Sequence, residues 1–199
     1  LLISFGNALA NKVPFKLPSE LMTPYGVIAP LCFLKFTEFS KNPGPLNLKT
    51  DACLRYSQPY NDYALKNGLI GYNLENEEPG MKLPYIFYRY VGKLNQDGQT
   101  QYAFIISWSG GGTGSFTELK TMTLDNHLLK VNKNLASGDR CNGSVKDASV
   151  KNNQLEYSVN MTPFALYALD NKDAKPTQTD PFADCAVCCI GTIHLVGDK

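Results

Sequence analysis

Apolar and polar positions alternate with period two through most of the second half of the chain. Tyr102, Phe104, Ile106 and Trp108 share one face of residues 101–108, as the inward side of a strand does. Leu155, Tyr157, Val159 and Met161 oppose Glu156, Ser158 and Asn160, so the sheet they enter has a wet side. These strands come in pairs. Residues 85–94 and 101–108 flank Asn95-Gln96-Asp97-Gly98-Gln99, a glycine-containing hairpin loop. Residues 116–124 and 128–131 flank Asp125-Asn126, and 145–150 and 155–161 flank Asn152-Asn153. Successive hairpins with short turns predict an all-β or mainly β fold of antiparallel sheets, sandwich or barrel-like. Thr162-Pro163 offers an N-cap followed by proline at the first helical position, which predicts one short helix near 163–169. A polar loop then leads to a last strand over 190–196.

The first half is less regular. Pro14, Pro18, Pro24 and Pro30 punctuate residues 11–30, which read as extended chain with at best one helical turn near 19–22. Residues 31–39 form a first strand candidate, closed by the turn Asn42-Pro43-Gly44-Pro45. From 57 to 84 the chain is loop-like, rich in proline, glycine and asparagine. A connection of that length inside a compact domain is functional, mobile, or hides an element.

Cysteine changes the picture. The chain has six: Cys32, Cys53, Cys141, Cys185, Cys188 and Cys189. An even count in a modest chain reads as three disulfides in an oxidising compartment. Residues 1–10, ending in Ala8-Leu9-Ala10, resemble the tail of a secretory leader with its small-x-small site. The expected organisation is therefore a leader remnant over 1–10 and a single disulfide-bonded β-rich domain over 11–199, secreted or periplasmic/extracellular. A turn between Cys32 and Cys53 favours their pairing. Cys141 must then bond one of the three C-terminal cysteines. A Cys188–Cys189 bridge is strained, because adjacent Cα atoms are about 3.8 Å apart and a disulfide wants about 4.4–6.8 Å. Two schemes remain: Cys141–Cys189 with Cys185–Cys188, or Cys141–Cys188 with Cys185–Cys189. Either closes a loop of about 45 residues, worth about 4 kcal/mol in the chain-entropy account.

Charge is nearly balanced, with 19 Lys+Arg against 18 Asp+Glu. Nucleic acid is not an expected partner, because counterion release needs clustered Lys and Arg. Apolar residues at 43 % exclude a disordered chain. No uncharged apolar run approaches the ~18 residues of a membrane helix, so no integral membrane segment is expected.

The residues that could carry chemistry are few. Ser109-Gly110-Gly111-Gly112-Thr113-Gly114-Ser115 is a run of the kind that cradles phosphate in tubulin-like GTPases, which requires a helix after it. The Thr-rich, β-like stretch 116–123 follows instead, so the run reads as a flexible β-connection, with binding of a ligand by its amides, at Gly111 and Thr113, as the alternative. His127 sits beside a tight turn, and His194 alternates with Ile193 and Leu195. A Ser-His-Asp site would need a strained nucleophile turn, and Ser107-Trp108-Ser109-Gly110-Gly111 lacks its first glycine. The spread of acidic residues does not single out a glycosidase pair. Cys185-Ala186-Val187-Cys188-Cys189 lacks the strand–helix context of a redox C-x-x-C. Cys141, Cys185, Cys188 and His194 could ligate zinc only as thiolates, which an oxidising compartment disfavours. Neither cofactor nor metal is therefore expected. Asn142-Gly143-Ser144 and Asn160-Met161-Thr162 match the glycosylation acceptor pattern, which has meaning only in a eukaryotic secretory pathway.

Tyrosine is unevenly placed, with seven of eleven between residues 56 and 90. Tyrosine supplies rigid amphipathic contact area suited to sugar rings or protein partners. The expectation is a non-catalytic binding protein for a protein or carbohydrate, contacting it through Tyr60, Tyr63, Tyr72, Trp108, Gly111 and Thr113. An extracytoplasmic hydrolase using His127 or His194 is the alternative, and a structural or assembly protein the third reading.

Overall fold

The computed structural model describes residues 17–38, 40, 44–57, 64–66, 69–73, 84–96, 98–170 and 187–197, without the side chains of 56, 57, 64–66, 72, 73 and 170. The leader-like residues 1–10 lie outside these. The chain is mainly β, in antiparallel sheets with a curled half-barrel. The strands are β1 (Leu46–Asn47), β2 (Ala64–Lys66), β3 (Leu69–Asn73), β4 (Tyr85–Gln96), β5 (Gln99–Ser109), β6 (Phe116–Asp125), β7 (Leu128–Asp139), β8 (Val145–Lys151), β9 (Gln154–Met161) and β10 (Gly191–Val196). A seven-stranded sheet runs β1-β7-β6-β5-β4-β3-β2, and a three-stranded sheet runs β10-β9-β8.

Strand β5 explains the layering. Its even residues Tyr102, Phe104, Ile106 and Trp108 pack under an N-terminal cap, with Leu21, Ile28, Phe33 and Leu54. Its odd residues Ala103 and Ile105 pack against Leu155, Tyr157 and Val159 of the three-stranded sheet. Both faces of β5 are covered, which is why its sequence runs apolar almost without interruption. A register shift falls between Tyr90 and Gly92 of β4, where the strand comes against β8. A Cβ on Gly92 would lie 2.7 Å from the Val150 side chain, so the bare backbone permits this approach.

The cap is built from short 3-10 turns, Ser19–Leu21, Pro30–Phe36 and Ala52–Ser57. The expected strand over 31–39 is therefore a helical turn. Pro30 opens it with a preset φ, and its buried residues Cys32, Phe33 and Phe36 follow helical rather than alternating spacing. Cys32–Cys53 staples two of the turns at a Cα separation of 5.3 Å. Lys35 pairs with Asp51 at 2.8 Å beside it. Phe33 stacks on Tyr88 at 3.9 Å between ring centroids, and the Tyr88 hydroxyl donates to the Ile28 carbonyl at 2.6 Å.

Two two-residue turns set the hairpins. Asn126 and His127 (φ 44° and 70°) join β6 to β7, and Asn152 and Asn153 (φ 50° and 60°) join β8 to β9. Left-handed φ at both central residues matches the twist of the flanking strands. Helix α1 (Pro163–Asp170) begins where Thr162 Oγ1 accepts from the Ala165 N–H at 3.1 Å. The stretch 57–84, expected as loop, contributes β2 and β3 to one edge of the large sheet. Cys141–Cys189 ties the turn after β7 to the chain entering β10. Cys188 is also disulfide-bonded, and Cys185 lies outside the described residues.

Candidate functional site

Strand β6 carries the unusual pattern. Phe116, Glu118, Lys120, Met122 and Leu124 share the face turned to the cap, set by their pairing opposite the even residues of β5. Two charges thus enter an apolar row. The side chain of Glu118 is fully buried and that of Lys120 is 6 % exposed. The Trp108 indole N–H donates to Glu118 Oε1 at 2.6 Å. The Lys120 ammonium sits 2.7 Å from Oε2, an ion-pair contact without good hydrogen-bond alignment. Trp108 is held in turn by stacking on Phe116 at 4.5 Å. Isolated charges do not survive in such a place, and this carboxylate has a donor and a cation of its own.

Lys120 leads outward. It forms part of a cleft of about 420 Å³ between the cap and the β6–β7 hairpin. Lys35 and Lys130 also border it, and Phe36, Pro45 and Val131 supply apolar wall. Lys130 has a loose contact with Asp125 at 3.7 Å. Among the described residues the cleft lining holds three lysines and no carboxylate. Asp51, the partner of Lys35, points its other oxygen at the Asn47 N–H at 2.6 Å.

A second, smaller hollow of about 230 Å³ lies on the three-stranded sheet and includes His194, Ser158, Asp147, Lys151 and Glu156. Pairing aligns Asp147, Ser158 and His194 in one row across β8, β9 and β10. The order defeats a relay, because serine lies between the acid and the imidazole that the acid would have to orient. Asp147 is engaged elsewhere, accepting from Arg89 Nη2 at 2.6 Å and from the Ala148 N–H at 2.8 Å. Burial works against its charge, yet these donors hold its carboxyl below the usual range. Ser158 sits mid-strand in β9, between the ladders to β8 and β10, so β9 itself offers it no free pair of N–H groups for an oxyanion among the described residues. His127 occupies a hairpin turn at left-handed φ, where its carbonyl accepts from the Leu48 N–H at 2.9 Å.

No protein-family model matches the chain, and no curated protein or solved structure does so. The functional reading therefore rests on geometry.

The sequence-expected contact residues are described only in part. Tyr60 and Tyr63 lie outside the described residues, and Tyr72 is placed in β3 by its backbone alone. Trp108 is 6 % exposed and packed in the core under the cap. The glycine run bridges two strands, with no helix after it. Gly111 is buried at φ 94°, and its N–H donates to Ser109 Oγ at 3.4 Å. The Ser115 N–H is taken by Asp139 at 2.8 Å, and the Tyr85 and Ser115 hydroxyls bond each other. These internal bonds consume the amides at Gly111 and Ser115, whereas Thr113 is exposed. Glu118 and Lys120 went unnoticed in the sequence, although their even spacing with Phe116, Met122 and Leu124 is a readable signal.

Proposed function

We propose that this chain is a secreted or periplasmic/extracellular binding protein that holds a carbohydrate or protein ligand without transforming it. The cleft between cap and sheet carries the reading. It is concave, of small-molecule size, part apolar and part cationic, and floored by a nearly buried lysine. Two described disulfides and a bonded Cys188 support an oxidising compartment. A hydrolase centred on His194 is the second reading, because that residue shares a hollow with Ser158 and two carboxylates.

One experiment separates them. The chain is incubated with panels of oligosaccharides and peptides, following thermal stability and product formation together. A binding protein raises its melting temperature with a ligand that is recovered intact. Turnover that disappears in His194→Ala would transfer the assignment to the hydrolase.

A further inference from the structure

We propose that the cleft selects an acidic carbohydrate, seating a sugar carboxylate among Lys35, Lys120 and Lys130; this rests on the binding reading above. An ammonium carries three donors. Among the described residues each of these lysines has one carboxylate contact: Asp51 for Lys35, Glu118 for Lys120 and Asp125 for Lys130. Donors are therefore left over on all three, and the space they border has no negative group among its described lining residues. An anion entering it meets ammonium donors that are each partnered by a single carboxylate and keep N–H groups to offer.

Lys120 is the informative member. A buried ion pair is commonly replaceable by apolar residues at no loss of stability, so packing alone gives little reason for it. The pair does something an apolar pair cannot. Glu118, locked by the Trp108 indole, fixes an ammonium at the cleft floor where water is scarce and its attraction for an anion is least screened. Lys35 and Lys130 are 31 % and 46 % exposed and flank the opening, as groups that draw a ligand in from solvent.

The shape favours a sugar acid over an acidic peptide. Peptides held by sheet proteins extend along a free strand edge and bond its backbone. This cleft opens over a sheet face, where β6 is paired on both sides by β5 and β7. Compact apolar wall from Phe36, Pro45 and Val131 suits the carbon face of a ring.

The test is calorimetric titration of the full chain with an oligogalacturonate, its methyl ester and a poly-glutamate peptide of equal charge. The oligogalacturonate binds, its affinity falls as salt rises, and the ester binds at least tenfold more weakly. Lys130→Ala and Lys35→Ala, both at partly exposed sites, each weaken binding about tenfold, and Glu118→Gln/Lys120→Met weakens it more while preserving the fold. Equal affinity for acid and ester would overturn the charge selection and leave the binding reading standing. Preference for the peptide, or no response to any acidic sugar, would overturn the carbohydrate. A neutral ligand found elsewhere on the molecule would do so as well.

Discussion

At the residue scale, Glu118 and Lys120 are a buried ion pair set in an apolar row. Each replaces an apolar side chain in a row that also holds Phe116 and Met122. Their stability depends on both being present. Lys120→Met alone strands a fully buried carboxylate beside a single indole donor, and should cost about 3–5 kcal/mol. Glu118→Gln/Lys120→Met removes both charges and keeps an acceptor for Trp108, so it should cost about 1 kcal/mol or less. Urea unfolding of both variants checks this, and a double variant as unstable as the single one would contradict it. These residues were legible in principle, since period two puts them on the Trp108 side of the hairpin. What the sequence cannot supply is the cap above them. The same alternation on an open sheet would have left both charges in water.

At the element scale, local rules located the hairpins well. Asn126-His127 and Asn152-Asn153 adopt left-handed φ, which asparagine tolerates well, and they mark the turns between the strands. The N-terminal half was less legible. The run Pro30–Phe36 satisfies either a buried strand or a helical turn, and the Cys32–Cys53 link together with the Phe33–Tyr88 stack decides it only after folding. Strands β2 and β3 escaped notice because they are short and set among residues of turn-forming type. The cap is also latched by charge. Glu20 bonds Lys93 at 2.9 Å and Tyr102 at 3.2 Å. Its own backbone N–H and Lys93 hold its carboxyl below the ordinary glutamate range, and burial, then Glu20, pushes the Tyr102 hydroxyl up to about 12. A carboxyl lowered on folding stabilises above its unfolded value of about 4.3 and loses that contribution as pH falls through the folded value. Glu20→Gln should therefore be less stable than the parent at pH 6, by at most about 1 kcal/mol given its exposure, with the gap closing as pH falls through the folded value. Denaturant midpoints across that range report the difference, and a constant gap at all pH values would refute the latch.

At the scale of the whole molecule, one large sheet is covered on both faces, by the disulfide-pinned cap and by the three-stranded sheet. The mainly β class was legible because periodicity is local. The two-sided burial was not, since it depends on which distant segments return to cover β5. The proposed site lies at the seam between cap and sheet, out of reach of any single motif. Its residues come from the Pro30–Phe36 turn and the chain just after it, and from β6 and β7, with Lys35 and Lys120 85 positions apart. The account stands on the cleft being where ligand sits. Heteronuclear NMR titration of the labelled chain with an oligogalacturonate tests this directly. The account predicts amide shifts concentrated at Lys35, Thr37, Lys120, Lys130 and Val131, with the sugar recovered unchanged. Shifts centred instead on Ser158 and His194, with the sugar cleaved, would contradict it.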